Sequence, residues 1–118
     1  MNKQVSDLIQ KLSVKTRLGL VDWRETASSD AFQVSFSDYS LMIRNLGNDG
    51  TVGQPDFSIS IINSFGNKIE EEYDSDLDEG NNSISHYSLM KEIFESARRK
   101  ALGADKALFF LLKEIENL

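Results

Sequence analysis

Between Glu70 and Glu79, seven of ten residues are acidic. Asp74, Asp76 and Asp78 have the i, i+2, i+4 spacing with which an EF-hand loop begins, and alternating carboxylates of that kind chelate a hard cation such as calcium. The rest of the loop does not follow. Its sixth position, which needs glycine for a sharp turn, is Glu79, and Gly80 comes one residue late. Its twelfth, which needs a bidentate glutamate, is Ser85. A solvated linker over residues 74–83 is therefore the main expectation. An irregular cation site at Asp74, Asp76 and Asp78 comes behind it, as does a charged docking surface formed by Glu70, Glu71, Glu72, Asp74, Asp76 and Asp78.

His86 is the only histidine and there is no cysteine. A Ser–His–Asp set needs a base placed by the fold, which spacing does not reveal. The reading adopted for His86 is a capping or solvent-exposed residue at a helix start. No catalytic residue is assigned and no cofactor is expected. Arg98-Arg99-Lys100 falls near the end of a predicted helix, where positive charge complements the helix dipole by ~0.3–1 kcal/mol each. Helical steps of ~100° send the three side chains apart, so they make no compact phosphate clamp. Arg98 is expected to pair with Glu95 or Glu92, and Arg98 and Arg99 stay as candidate partner contacts. Gly47-x-x-Gly50-x-x-Gly53 lacks both the G-x-G-x-x-G spacing and a G-K-[ST] ending, and no helix follows it. It is read as a surface connection.

Trp23 either fills the core or anchors an interface, since a large ring serves both purposes. Phe65 in a turn, and Phe109 and Phe110 near the C-terminus, raise the same question. Together they exceed what one small core covers. Self-association through the last helix or a sheet edge is expected, giving a homodimer.

The elements that must position these residues follow from periodicity. Val5, Leu8, Ile9 and Leu12 mark one face of a helix over residues 3 to ~17, with Asn2 as cap and Gly19 at its end. The period then drops to two. Strands are predicted over Leu20 to Glu25, Ala31 to Ser37, Leu41 to Leu46, Phe57 to Ile61 and Lys68 to Tyr73, the last with Ile69 and Tyr73 facing inward. Gly47 to Pro55 is a loop, and Asn63 to Asn67 a hairpin turn with Gly66 at positive φ. Asn82 or Ser83 caps a helix whose stripe is Leu89/Met90, Ile93/Phe94, Ala97 and Ala101, ended by Gly103. Asp105 caps a last helix with the stripe Leu108, Leu111/Leu112, Ile115 and Leu118. The expected fold class is α+β, one domain over residues 1–118: an N-terminal helix, an antiparallel meander of four to five strands, and two C-terminal helices on one sheet face.

The segment Leu89 to Gly103, continued by Ala104-Asp105-Lys106-Ala107-Leu108, resembles the end of a loose set of small, largely uncharacterised bacterial proteins and accessory domains. In these a helix of the form L-x-x-L-[YF]-x-x-A-R-R-x-A-L-G follows a short antiparallel sheet. The hairpin from Phe57 to Ile69, with Asn63 and Gly66, looks like the one that precedes that helix. The resemblance covers about half the chain. It implies the order of the fold and a bacterial or phage-like origin, and it implies no activity.

The chain has 118 residues, 40% of them hydrophobic, and a net charge of -6. That is enough apolar material for a core. The acidic balance weighs against nucleic acid as a partner. The charge is segregated: residues 1–24 carry +3, 25–87 carry -10 and 88–118 carry +1. The longest apolar run, Ala107 to Leu112, is far short of the ~20 residues that span a bilayer. The early residues lack the unbroken apolar stretch of a leader. The protein is expected in the cytoplasm, without a membrane partner. The expected function is a non-catalytic protein-interaction module (adaptor, immunity-type or defence-related) with an unknown protein partner. The alternative is a small-ligand or metal-binding domain using residues 70–79 or the sheet–helix cleft. A DNA mimic and an enzyme rank below both.

Overall fold

In the computed structural model, α1 (Lys3–Arg17) turns Val5, Ile9 and Leu12 into the core, with Ser6, Ser13 and Thr16 beside them on the buried side. Gly19 closes its end at φ 75°, a left-handed conformation that glycine adopts without a Cβ clash. The structure describes residues 3–48, 50–79 and 83–118. The expected caps Asn2 and Asn82 lie outside the described residues, as does Gly80.

Five strands follow: β1 (Arg24–Glu25), β2 (Ala31–Ser35), β3 (Tyr39–Asn45), β4 (Phe57–Asn63) and β5 (Lys68–Tyr73). They form one sheet in the order β1-β2-β3-β4-β5, every pair antiparallel. Register sets Phe32 opposite Ile43 and Val34 opposite Leu41, then Ile43 opposite Ile59 and Leu41 opposite Ile61. Alternate side chains thus share one apolar face. The strand expected from Leu20 shrinks to Arg24–Glu25. Val21 and Trp23 are buried instead in the chain leading to it.

The edge strand β5 departs from its predicted phase. Ile61 pairs with Glu70 but Ile62 pairs with Lys68, so Ile69 is the extra residue of a bulge. It is left 55% exposed. The bulge moves Glu70 and Glu72 to the side of Ile61 and Ile59, and puts Glu71 and Tyr73 opposite Ser60 and Ser58 on the other side. A one-residue slip exchanges the two faces of a strand, and Ile69 and Tyr73 accordingly do not face the core.

Residues 74–83 are also not simply a solvated linker. They begin with a one-turn helix, α2 (Asp74–Leu77), and Leu77 and Asp74 are buried. Asp74 Oδ1 accepts the backbone N–H groups of Asp56 at 2.8 Å and Phe57 at 3.0 Å. One carboxylate thereby ties the end of the glycine-rich loop to the exit of β5.

α3 (His86–Leu102) is capped by Ser85, whose side chain accepts from Ser88 N. Ser85, rather than Ser83, therefore occupies the cap. Its inward stripe is Met90, Ile93, Phe94 and Ala97, as predicted. Phe94 packs at a tilt against Phe32 and Phe57 with ring centroids 5.5 Å and 5.9 Å away. The core joins α1, α3 and one face of the sheet. The last helix, α4 (Ala104–Glu116), completes the α+β order but buries none of its residues. Gly103 stands at its cap position, and Asp105 makes no capping bond.

Ser13 Oγ and Ser58 Oγ are buried without a hydrogen-bond partner among the described residues. A sequestered hydroxyl of this kind costs roughly 1–3 kcal/mol. Ser13 also occupies a helix position where alanine is the better former. Ser13→Ala is expected to stabilise the protein by about 1 kcal/mol, read as a melting temperature higher by about 3–5 °C. A lower melting temperature would show that the hydroxyl is engaged.

Candidate interaction surface

Leu108 to Leu112 are five consecutive apolar residues. At ~100° per residue they place apolar side chains around the whole of α4. A helix of that kind is normally buried on every side. Here Leu108 is 51% exposed, Phe109 63%, Phe110 61%, Leu112 60% and Ile115 62%. α4 is tied at its base by Arg99 Nη2 to Asp105 Oδ1 at 2.6 Å. Lys113 lies 4.9 Å from the centre of the Phe109 ring, an ordinary cation–π contact within the helix. The radius of gyration is 15.9 Å and the long axis 55 Å, whereas a compact chain of this length has a radius near ~13.5 Å.

A second apolar surface is concave. A groove of about 440 Å³ runs between α1 and the sheet. Leu8, Leu12, Leu20, Phe36, Tyr39 and Ile61 line it, with Lys11 and Lys15 at its α1 side. Phe36 and Tyr39 flank the tight β2–β3 turn, closed by Phe36 N to Tyr39 O at 2.8 Å, and both are more than half exposed.

The acidic residues singled out from the sequence are mostly engaged elsewhere. Glu71 accepts from Ser60 Oγ at 3.1 Å, Lys68 Nζ at 3.0 Å and Tyr73 OH at 2.8 Å. Burial pushes its carboxyl up, but hydrogen bonds from Lys68, Tyr73 and Ser60, with the Lys68 charge, together hold it below the ordinary value. The Glu71 carboxylate in turn raises the Tyr73 phenol. Glu72 is pushed up, first by burial and then by the charges of Glu70 and Asp76. The pH consequences have opposite signs. The depressed Glu71 contributes stability that is present above the unfolded carboxylate value and lost as pH falls through its lower folded value. The raised Glu72 contributes stability that is fully present below the unfolded carboxylate value and lost as pH rises through its higher folded value. Glu71→Gln is therefore expected to lower stability at pH 7 and flatten its loss in acid, and Glu72→Gln to raise it at pH 7. Urea unfolding at pH 7 and pH 3 measures both, and equal effects at the two pH values would refute the assignment.

Asp74 is buried against backbone, Asp76 is exposed, and Asp78 turns to α3. The three carboxylates do not converge, and no group of three metal-ligating residues occurs among the described residues. Asp78 Oδ1 lies 2.9 Å from His86 Nδ1, and His86 Nε2 lies 2.8 Å from Ser6 Oγ. The connectivity is that of a serine–histidine–acid set, but Ser6 is 6% and His86 1% exposed. Acyl transfer needs the hydroxyl open to a substrate carbonyl, with oxyanion donors beside it. The arrangement instead pins the start of α3 to α1, and His86 is neither exposed nor a simple cap.

Trp23 is 1% exposed and donates Nε1–H to Thr16 Oγ1 at 3.1 Å, so it belongs to the core and is no surface anchor. Phe65 stands 87% exposed at the β4–β5 hairpin. Glu92 pairs with Arg17 at 3.1 Å. Arg98 makes no ion pair among the described residues and borders a small hollow beside Thr26 and Phe32. Arg99 is held by Asp105. Among the described residues no helix is long and apolar enough to cross a membrane. Comparison of the chain with protein-family models, with curated proteins and with solved structures finds no match.

Proposed function

We propose that the protein is a cytoplasmic, non-catalytic protein-interaction module that docks through α4. The observation that carries this reading is the set of apolar side chains on α4 that stay more than half exposed, five of them consecutive at residues 108–112. Fully burying such a side chain is worth roughly 1.5–3 kcal/mol. Covering several half-exposed ones supplies the drive for association. Enclosure of the Ser6–His86–Asp78 connection supports the non-catalytic half of the reading.

A photoreactive residue placed at Phe110 in living cells tests it, with one at the 97% exposed Val52 as control. A covalent adduct to protein is expected from position 110 and not from 52. No adduct from 110 overturns the reading.

A second reading is favoured by the groove itself. Its volume of about 440 Å³ falls within the ~300–1,000 Å³ of small-molecule sites. Medium-chain fatty acids are then expected to raise the melting temperature, since a ligand of the native state stabilises it. No rise at millimolar concentration removes this alternative.

A further inference from the structure

We propose that α4 docks into the α1–sheet groove of a second copy of this chain, each copy giving its helix to the other. This rests on the reading of α4 as the docking element and names what receives it. The described residues include an unpartnered apolar ridge, α4, and an unpartnered apolar trough, the α1–sheet groove. Contacts between unlike surfaces build open filaments unless the geometry closes, and a reciprocal exchange closes at two copies.

The dimensions agree. Leu8 to Lys15 along the groove wall and Leu108 to Ile115 along α4 each span seven helical steps, about 10 Å. The charges agree as well. Lys11 and Lys15 stand at the groove and make no ion pair among the described residues. Glu114 and Glu116, at the far end of α4, make none either. Two residues apart, Glu114 and Glu116 leave α4 in directions ~160° apart, so seating α4 in the groove brings one of them to Lys11 and Lys15.

The area is sufficient. A groove takes one side of a helix, so about half of the six exposed apolar side chains of α4 enter it, on the order of 250 Å² per helix. With the groove surface they cover, two reciprocal dockings bury on the order of 1,000 Å², about the least that a specific interface needs. The chain's own α4 leaves α3 through the left-handed turn at Gly103, and none of its residues lines the chain's own groove.

Sedimentation of the full chain over a concentration series is expected to show a dimer. Lys11→Glu with Lys15→Glu should weaken it at least tenfold. Glu114→Lys with Glu116→Lys should do the same, and all four changes combined should restore most of the loss. All four side chains are exposed, and circular dichroism checks that each variant folds. A monomer at high micromolar concentration overturns the proposal. So does a dimer indifferent to the charge reversals, which would indicate α4 pairing with α4, or a quadruple variant no tighter than either double. The photo-adduct from position 110 separates the two levels of argument. An adduct of twice the chain mass supports the second copy. An adduct with a different protein, or one closed within a single chain, overturns it, and the former leaves the interaction reading standing. No adduct overturns both.

Discussion

Asp78→Ala is expected to lower stability by about 3 kcal/mol, because three donors lose one charged acceptor. The carboxylate accepts His86 N at 2.6 Å, His86 Nδ1 at 2.9 Å and Tyr87 N at 2.9 Å. Two of these are backbone groups at the start of α3, which have no partner within the helix. The third sets the ring. A carboxylate accepts, so Nδ1 donates its proton to Asp78, and Nε2 lies 2.8 Å from Ser6 Oγ. Ser6 Oγ also accepts from Gln10 Nε2 at 3.2 Å, which extends the connection from Asp78 through His86 along α1.

Removing Asp78 strands the ring N–H in a buried site, where His86 is 1% exposed. Hydrogen bonds to a charged group are worth about 1.5–3 kcal/mol each and do not sum. Tyr87 N stands at an exposed position, where water replaces part of the loss. The melting temperature should fall by about 10 °C or more. Asp78→Asn keeps one acceptor but turns a second donor toward the backbone, and should lie between. Ser6→Ala disturbs only the far end of the chain and should cost about 1 kcal/mol. Denaturant unfolding of the three variants checks the order, and a Ser6→Ala loss as large as that of Asp78→Ala would refute it.

Trp23→Ala should cost about 3–5 kcal/mol, the range for emptying a large aromatic site in a packed core. Trp23, in the lead-in to β1, is 1% exposed and borders the same hollow as Thr16 of α1 and Ser96 of α3. The bond to Thr16 supports the same position from the polar side. Trp23→Phe keeps most of the packing and loses that bond, so about 1–2 kcal/mol is expected. Thermal unfolding separates this role from an interface anchor. An anchor's removal would leave the melting temperature of the monomer unchanged and change only association.

Much of this architecture was legible in the chain. Val5, Ile9 and Leu12 repeat at the helical period, and Phe32, Val34, Leu41, Ile43 and Ile59 at the strand period. Both patterns settle which side must leave water, whatever lies opposite. Gly19, Gly66 and Gly103 mark turns because the left-handed conformation found at each excludes most side chains. β5 departs from its sequence pattern because its phase depends on a bulge. Nothing in Lys-Ile-Glu-Glu-Glu-Tyr indicates that Ile69 will be the residue left over. The places of His86 and Asp78 are hidden from the sequence for a similar reason. Their partners are Ser6 on a distant helix and a backbone turn that exists only once α3 has formed.

The sequence alone determined the helices, the meander and the surplus of apolar side chains in residues 107–112, because local periodicity and composition encode them. Only the tertiary structure decided which of those side chains the core would cover. It filled the sheet face with α1 and α3, gathered Asp74, Asp78 and His86 into buried hydrogen bonds, and left α4 and the α1–sheet groove both open. Burial is a property of what stands opposite a side chain. No spacing within a segment specifies that.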